Sequence, residues 1–218
     1  MPQGGRRGAL ITVEGIDGTG KSSVASDLGR FLERKGVRAA LQREPTSTWL
    51  GEAVRRGHAQ GAAPLALTFL FLADRAEHAR PIADQVAAGA VVVCDRFLDS
   101  TTAYQGAALA GVLPAEAGDP VEWVRQLQRP WAPVPDLTLL LVDDPAACMG
   151  RVRQRPGGTQ LFEDAAFLSK VQANYRAIAA REPARFRVLE PGTLGDVQAA
   201  ARAAVHGFLE ARGLLPQA

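Results

Sequence analysis

Residues 15–22 read "GIDGTGKS": two glycines frame four residues, and a lysine and a serine follow, the pattern G-x-x-x-x-G-K-[ST]. Its flanks restrict the fold more than any other part of the chain. Before it runs "ALITVE", an apolar segment of strand length. After it comes "VASDLGRFLERKG", where Val24, Leu28 and Phe31 with Leu32 recur at helical spacing. A strand that turns through glycines into a helix lets backbone N–H groups point inward, and the helix N-terminus adds the positive end of its dipole. The anion that fits is a nucleoside triphosphate. Gly15, Ile16, Asp17, Gly18, Thr19, Gly20, Lys21, Ser22 and Ser23 form the expected phosphate loop, with Lys21 reaching the β- and γ-phosphates and Ser22 holding Mg²⁺.

Four further apolar runs repeat the strand pattern: "VRAALQRE", "AVVVCD", "DLTLLLVD" and "RFRVLE". Several are apolar on both faces, as buried parallel strands are. Helical patterns lie between them, among them a segment with Leu67, Leu70, Phe71 and Asp74 that is expected to end before Pro81. Strands alternating with helices predict an α/β fold, a doubly wound five-stranded parallel sheet of the P-loop type with helices on both faces and ligands beyond the carboxyl ends of the strands. The 218 residues suit one domain with a small inserted lid. The stretch "RVRQRPGGTQLFED", residues 151–164, reads as that lid, and residues 1–8 as a loose end.

Charge narrows the partners. Lys plus Arg number 25 against 23 Asp plus Glu, a net charge of +2, so no basic field points to nucleic acid and any anion site is local. No apolar run reaches the length of a membrane span, and Cys94 and Cys148 show neither metal nor redox spacing, so a cytoplasmic protein with buried thiols is expected.

The metal needs a second holder. "AVVVCDR" ends an apolar strand with Asp95, placed as a Walker-B carboxylate is. A GTPase would carry N-K-x-D, which is missing. The three histidines fall in no recognisable catalytic constellation, which disfavours a kinase that needs a base for a neutral hydroxyl. An acceptor that brings its own ionised oxygen, a nucleoside monophosphate, needs alignment and positive charge instead. A nucleotide-binding regulatory or scaffold protein is the reading from another class.

The next stretch is "DRFLDSTTAYQG", residues 95–106. Together with the loop, "REPT" (residues 43–46), "FLADR" (residues 71–75) and "PDLTLLL" (residues 135–141), it resembles the thymidylate kinase family over nearly the whole chain after residue 8. The resemblance implies transfer of the ATP γ-phosphoryl to dTMP, giving dTDP and ADP, with Mg²⁺ and in a homodimer. A kinase for dUMP, dCMP or a deoxynucleoside is the alternative. The resemblance places Arg43, Pro45, Arg55, Phe71, Arg75, Arg96, Ser100, Thr101, Tyr104 and Gln105 around dTMP. Phe71 would stack on the base, Arg75 would donate to its O4, and Arg96 would grip its phosphate. Thr101 and Gln105 would meet the base edge, and Tyr104 would lie beneath the sugar where a 2′-OH would clash. Asp17 matches an acidic residue near the sugar 3′-OH and the metal. Phe71 and Arg75, four apart on a helix, share a face. Gly18 stands where some members have an arginine, which is similar to the bacterial-type branch that carries its catalytic arginine in the lid. That branch often continues with D-R-x-E, where this chain has "TQLFE" with Gln160. Arg155 matches the lid arginine. On a helix Arg151 would share its face and Arg153 would point away.

Overall fold

A computed structural model describes residues 7–154 and 164–216. All five predicted strands form: β1 (Ala9–Gly15), β2 (Ala39–Arg43), β3 (Val91–Asp95), β4 (Leu137–Leu141) and β5 (Phe186–Leu189). They make one parallel sheet in the order β2-β3-β1-β4-β5. The register sets Val13 beside Asp95 on one side and Leu139 on the other, so the loop after β1 and the acid ending β3 leave the sheet at the same carboxyl end of the strands. The order changes direction at β1, and the crevice beyond its carboxyl end is where an open α/β sheet binds ligands.

Among the described residues, eight α-helices flank the sheet: α1 (Lys21–Arg34), α2 (Trp49–Ala59), α3 (Pro64–Ala87), α4 (Leu98–Ala108), α5 (Pro120–Gln128), α6 (Pro145–Arg153), α7 (Ala165–Arg181) and α8 (Leu194–Ala211). Residues alternate between faces along each strand. Ile11, Val13, Val93 and Leu139 therefore pack against Leu28 and Leu32 of α1 and Val205 and Leu209 of α8. On the opposite face Leu140 meets Val171, Tyr175 and Ile178 of α7, while Leu10 and Val92 meet Ile82 and Val86 of α3. Every residue of β1, β3 and β4 is buried, which is why these runs read as largely apolar on both faces.

Two boundaries differ from the sequence expectation. α3 does not end before Pro81 but runs 24 residues through it. Pro81 lies on the exposed side, so the backbone hydrogen bond it forfeits falls toward water, while buried Ala79, Ile82 and Val86 anchor the helix on both sides of it. Of the stretch 151–164 expected as a lid, Arg151 to Arg153 form the last turn of α6, and Asp164 caps α7 by accepting from the Phe167 N–H. Arginines suit a helix C-terminus, where carbonyl dipoles attract cations. Residues 155–163, with Arg155 and Gln160, lie outside the described residues, as do 1–6 of the expected loose end. Gly8 of that end makes a defined contact, its N–H donating to Val86 O at 2.9 Å.

Candidate active site

The phosphate loop is built from backbone. Five helices, α2, α5, α6, α7 and α8, start with a Thr or Asp side chain accepting from their first-turn N–H groups. α1 starts at Gly20, φ 91°, with no side-chain cap, so its N-terminal donors face the loop. Gly18, φ 90°, is required for a second reason: a Cβ there would lie 2.2 Å from the Cys148 carbonyl oxygen of α6. The loop and α6 are thus seated against each other, and no side chain fits between them at this position. Arg151 of α6 clamps the contact, donating to Gly18 O at 2.9 Å and pairing with Asp143 at 2.6 Å. A cavity of about 240 Å³ opens beside Gly18, Thr19, Gly20 and Ser23, with Arg151, Asp143 and Pro191 across from them.

Lys21 is buried and donates to Ile16 O at 2.7 Å, with Asp17 3.9 Å away. Burial, then the charge of Arg96, press its ammonium down to about 8 against the pull of Asp17 and Asp95. Ser22 Oγ donates to Asp95 Oδ2 at 2.5 Å, so the two residues expected at the metal stand together. Both offer hard oxygen atoms, and among the described residues no group of three or more His, Cys, Asp or Glu forms a metal cage. That donor set fits Mg²⁺, which keeps waters and takes most of its ligands from phosphates.

A second cavity, about 310 Å³, adjoins the loop. Its walls contain Asp17, Arg43, Pro45, Arg55, Phe71, Arg75, Arg96, Ser100, Thr101, Tyr104 and Gln105, so the fold brings together all ten residues assigned to the acceptor and adds the loop's own Asp17. Arg43 is 69% exposed and lies 3.9 Å from Asp95. Arg55 is not a free surface arginine: it donates to Thr46 O at 2.8 Å and Pro45 O at 3.3 Å, bracing the turn after β2. Asp74 holds the same turn, accepting from the Thr46 N–H and hydroxyl.

Charge in this cavity comes in buried pairs. Arg75 is only 1% exposed, and its Nη2 pairs with Glu44. Its Nη1 donates to Thr101 Oγ1 at 2.8 Å and Gln128 Oε1 at 2.7 Å, and the guanidinium stacks over Phe97. Arg75 Nε has no partner, the one such buried side-chain atom among the described residues. Arg96 Nη2 pairs with Asp17 at 2.5 Å, and its guanidinium lies over the Tyr104 ring. Burial alone would push the Asp17 carboxyl up, but Arg96 and then Lys21 hold it well below the usual carboxylate range. The Tyr104 hydroxyl accepts from the Asp17 N–H at 2.9 Å, and its ring meets Phe167 and Tyr175 edge-on.

Several residues here carried no readable signal. Glu44 sits inside "REPT", but nothing local says that it neutralises an arginine 31 residues away. His78, a histidine outside any motif, touches Glu44 at 3.0 Å and Gln42 at 3.1 Å. Gln128 reaches Arg75 from α5, and Phe167 reaches the cavity from α7. Only Glu44 had a motif around it that could have drawn notice.

Comparison with known proteins agrees with this geometry. The model of the family described as thymidylate kinase matches residues 13–193. A probable thymidylate kinase of Methanoculleus marisnigri is 41% identical over 188 residues, covering 83% of this chain and 85% of that protein. One from Methanospirillum hungatei is 39% identical over 186 residues, covering 85% and 86%. One from Halobacterium salinarum is 42% identical over 179 residues, covering 81% and 84%. With the loop, the paired arginines and the acceptor cavity in one crevice, and relatives of this similarity over most of both chains, the chain belongs to the thymidylate kinase family.

Proposed function

We propose that the chain transfers the γ-phosphoryl of ATP to dTMP, giving dTDP and ADP for dTTP synthesis. The observation that carries this reading is the cavity beside the phosphate loop, which gathers Phe71, Arg75, Arg96, Thr101, Tyr104 and Gln105. Arg75 in its wall is a guanidinium, which has only donors to offer and so favours an acceptor on the base. A pyrimidine carbonyl is such an acceptor, and the exocyclic amine of cytosine, itself a donor, is not. Phe71, on the same face of α3, supplies a ring for the base, and Thr101 and Gln105 supply polar atoms for its edge. Arg96 holds the dTMP phosphate, exchanging the Asp17 carboxylate for it, and Tyr104 supports the sugar.

Gly15 to Ser23 hold the ATP phosphates, with Lys21 offsetting charge on the β- and γ-groups. Ser22 and Asp95 hold Mg²⁺, which draws charge from the phosphate oxygens. Arg151 already borders the loop, and Arg155 supplies the positive charge that bridges the donor and acceptor phosphates, since position 18 of the loop admits no arginine side chain. A homodimer is part of the proposal, supported by Leu65 and Phe69, exposed one turn apart on α3. A cytoplasmic location is supported by two buried free cysteines. A coupled assay with ATP, Mg²⁺ and in turn dTMP, dUMP, dCMP and thymidine tests the substrate. dTMP is expected to be used best, and equal use of dCMP would refute the reading.

A further inference from the structure

Glu14 has no part in the reaction described above, yet it is fully buried beside the loop and is engaged on both carboxylate oxygens. It is the next-to-last residue of β1. Its Oε1 accepts from the Phe97 N–H at 2.8 Å; its Oε2 accepts from Ser100 Oγ at 2.5 Å and Tyr175 Oη at 3.1 Å. These donors surround one residue. Arg96 stands at φ 68°, the left-handed region that non-glycine residues seldom enter and that neighbouring contacts must hold. Its own N–H donates to Val13 O at 3.1 Å, the next N–H along the chain goes to Glu14, and its Nη1 donates to Ser100 Oγ at 3.2 Å. Backbone and guanidinium thus both lead back to the same carboxylate. Phe97 is also the N-cap of α4 and gives no side-chain cap of its own, so Glu14 supplies the negative charge that this helix end favours.

We propose that Glu14 is a positioning residue: through the Phe97 amide and the Ser100 hydroxyl its carboxylate holds Arg96 in the left-handed turn that aims the guanidinium at the acceptor phosphate. The inference rests on the assignment of Arg96 to the dTMP phosphate. It predicts a pH dependence, because only the ionised carboxylate accepts from all three donors and attracts Arg96. Once protonated, Glu14 must donate one bond itself, which reverses the direction of hydrogen bonding through Ser100 and Tyr175. The charged and titratable groups around it are Asp99 of α4, Arg96 of the β3–α4 turn, Tyr175 of α7, Lys21 of α1 and Cys94 of β3, whose thiol burial and the nearby carboxylates, Glu14 among them, push up and so keep neutral. Asp99 is itself held by both Nη atoms of Arg185. Burial first, then the charge of Asp99, push the Glu14 carboxyl up to about 7, opposed by Ser100, Arg96 and the Phe97 amide. The grip on dTMP is therefore expected to weaken as the pH falls through neutrality, while the grip on ATP does not.

The test is steady-state kinetics of the full-length protein with ATP, Mg²⁺ and dTMP from about pH 6.5 to 8.5, above the second ionisation of a phosphate monoester. Wild type, Tyr175→Phe and Glu14→Gln are compared, so that titration of the substrate itself cancels between them. In the wild type the KM for dTMP is expected to rise toward low pH while the KM for ATP does not rise in that direction. Tyr175→Phe removes one donor from the carboxylate and is expected to move the midpoint of that rise to higher pH. Glu14→Gln is expected to raise the KM for dTMP ~10-fold and to abolish its pH dependence. A profile unchanged in Tyr175→Phe, or KM values for dTMP and ATP that move together, would overturn the proposal. If Glu14→Gln fails to fold, the Tyr175→Phe midpoint decides alone. If the wild type forms no dTDP, the kinase reading has failed instead, and the same pH comparison of dTMP binding by calorimetry decides the part of Glu14.

Discussion

The two cavities present donors to an anion by different means. The donor loop spans nine consecutive residues and presents main-chain donors at an uncapped helix end, with Lys21 as its one cation. The acceptor cavity draws side chains from β2, α2, α3, α4, α7 and the turns between them, and it works through arginines. A backbone donor needs no counterion when it is buried. A guanidinium does, so Arg75 carries Glu44 and Arg96 carries Asp17. The loop can therefore lose its lysine and keep its shape, whereas the acceptor cavity cannot lose one partner of a pair without stranding the other.

The largest effect tests what joins the two cavities. Arg155→Ala is expected to lower kcat ~10³-fold or more with little change in dTMP affinity, as for an arginine that acts in the transition state. Arg153→Ala should be milder, and equal losses in the two variants would remove the assignment. Lys21→Ala comes next, with turnover falling ~10²-fold or more while thermal unfolding stays near that of the wild type. Turnover near normal would sink the loop's proposed role.

Glu44→Gln is the matching change in the other cavity, and its expected signature is the reverse. It leaves Arg75 buried without a counter-charge and should cost ~3 kcal/mol of stability in denaturant unfolding. A stability loss as small as that of Lys21→Ala would break the contrast drawn between the two sites. Arg75→Ala should narrow the preference for dTMP over dCMP by about 1–3 kcal/mol in relative kcat/KM, and a preserved preference would take base reading away from Arg75.

The smallest effect is a proton count. With its pKa pressed down to about 8, Lys21 is partly neutral above that pH, and bound phosphates should draw a proton back onto it. Calorimetry of ATP binding near pH 8.5 in buffers of different ionisation enthalpy should show proton uptake, which Lys21→Ala removes. The sign for folding follows the same direction. A lysine depressed in the folded state disfavours folding while it is charged, and that penalty fades as the pH rises through 8 toward its unfolded value.

How much was readable follows from this contrast. The strand, the glycines and the amphipathic α1 are set by neighbours in sequence, so both the loop and the parallel sheet were legible from residue spacing. Phe71 and Arg75 were legible as a pair because helical geometry places residues four apart on one face. Pro81 was misread because local propensity says stop, while burial of Ile82 and Val86 continues the helix. Arg55 was open between a solvated face and the site, and its spacing gave no sign of the Pro45 and Thr46 carbonyls that it meets.

The sequence by itself determined the phosphate-loop pattern and the five-stranded sheet, because strand and helix periods and glycine turns depend on short-range sterics; the residues proposed for the acceptor came instead from resemblance to the thymidylate kinase family. Only the tertiary structure decided the charge partners: Glu44 for Arg75, Asp17 for Arg96, Arg185 for Asp99, and Glu14 behind the Arg96 turn. These contacts span 31 to 86 positions of sequence. They exist because a charge moved out of water must find a counter-charge or donor in the space around it, and sequence spacing alone does not specify that space.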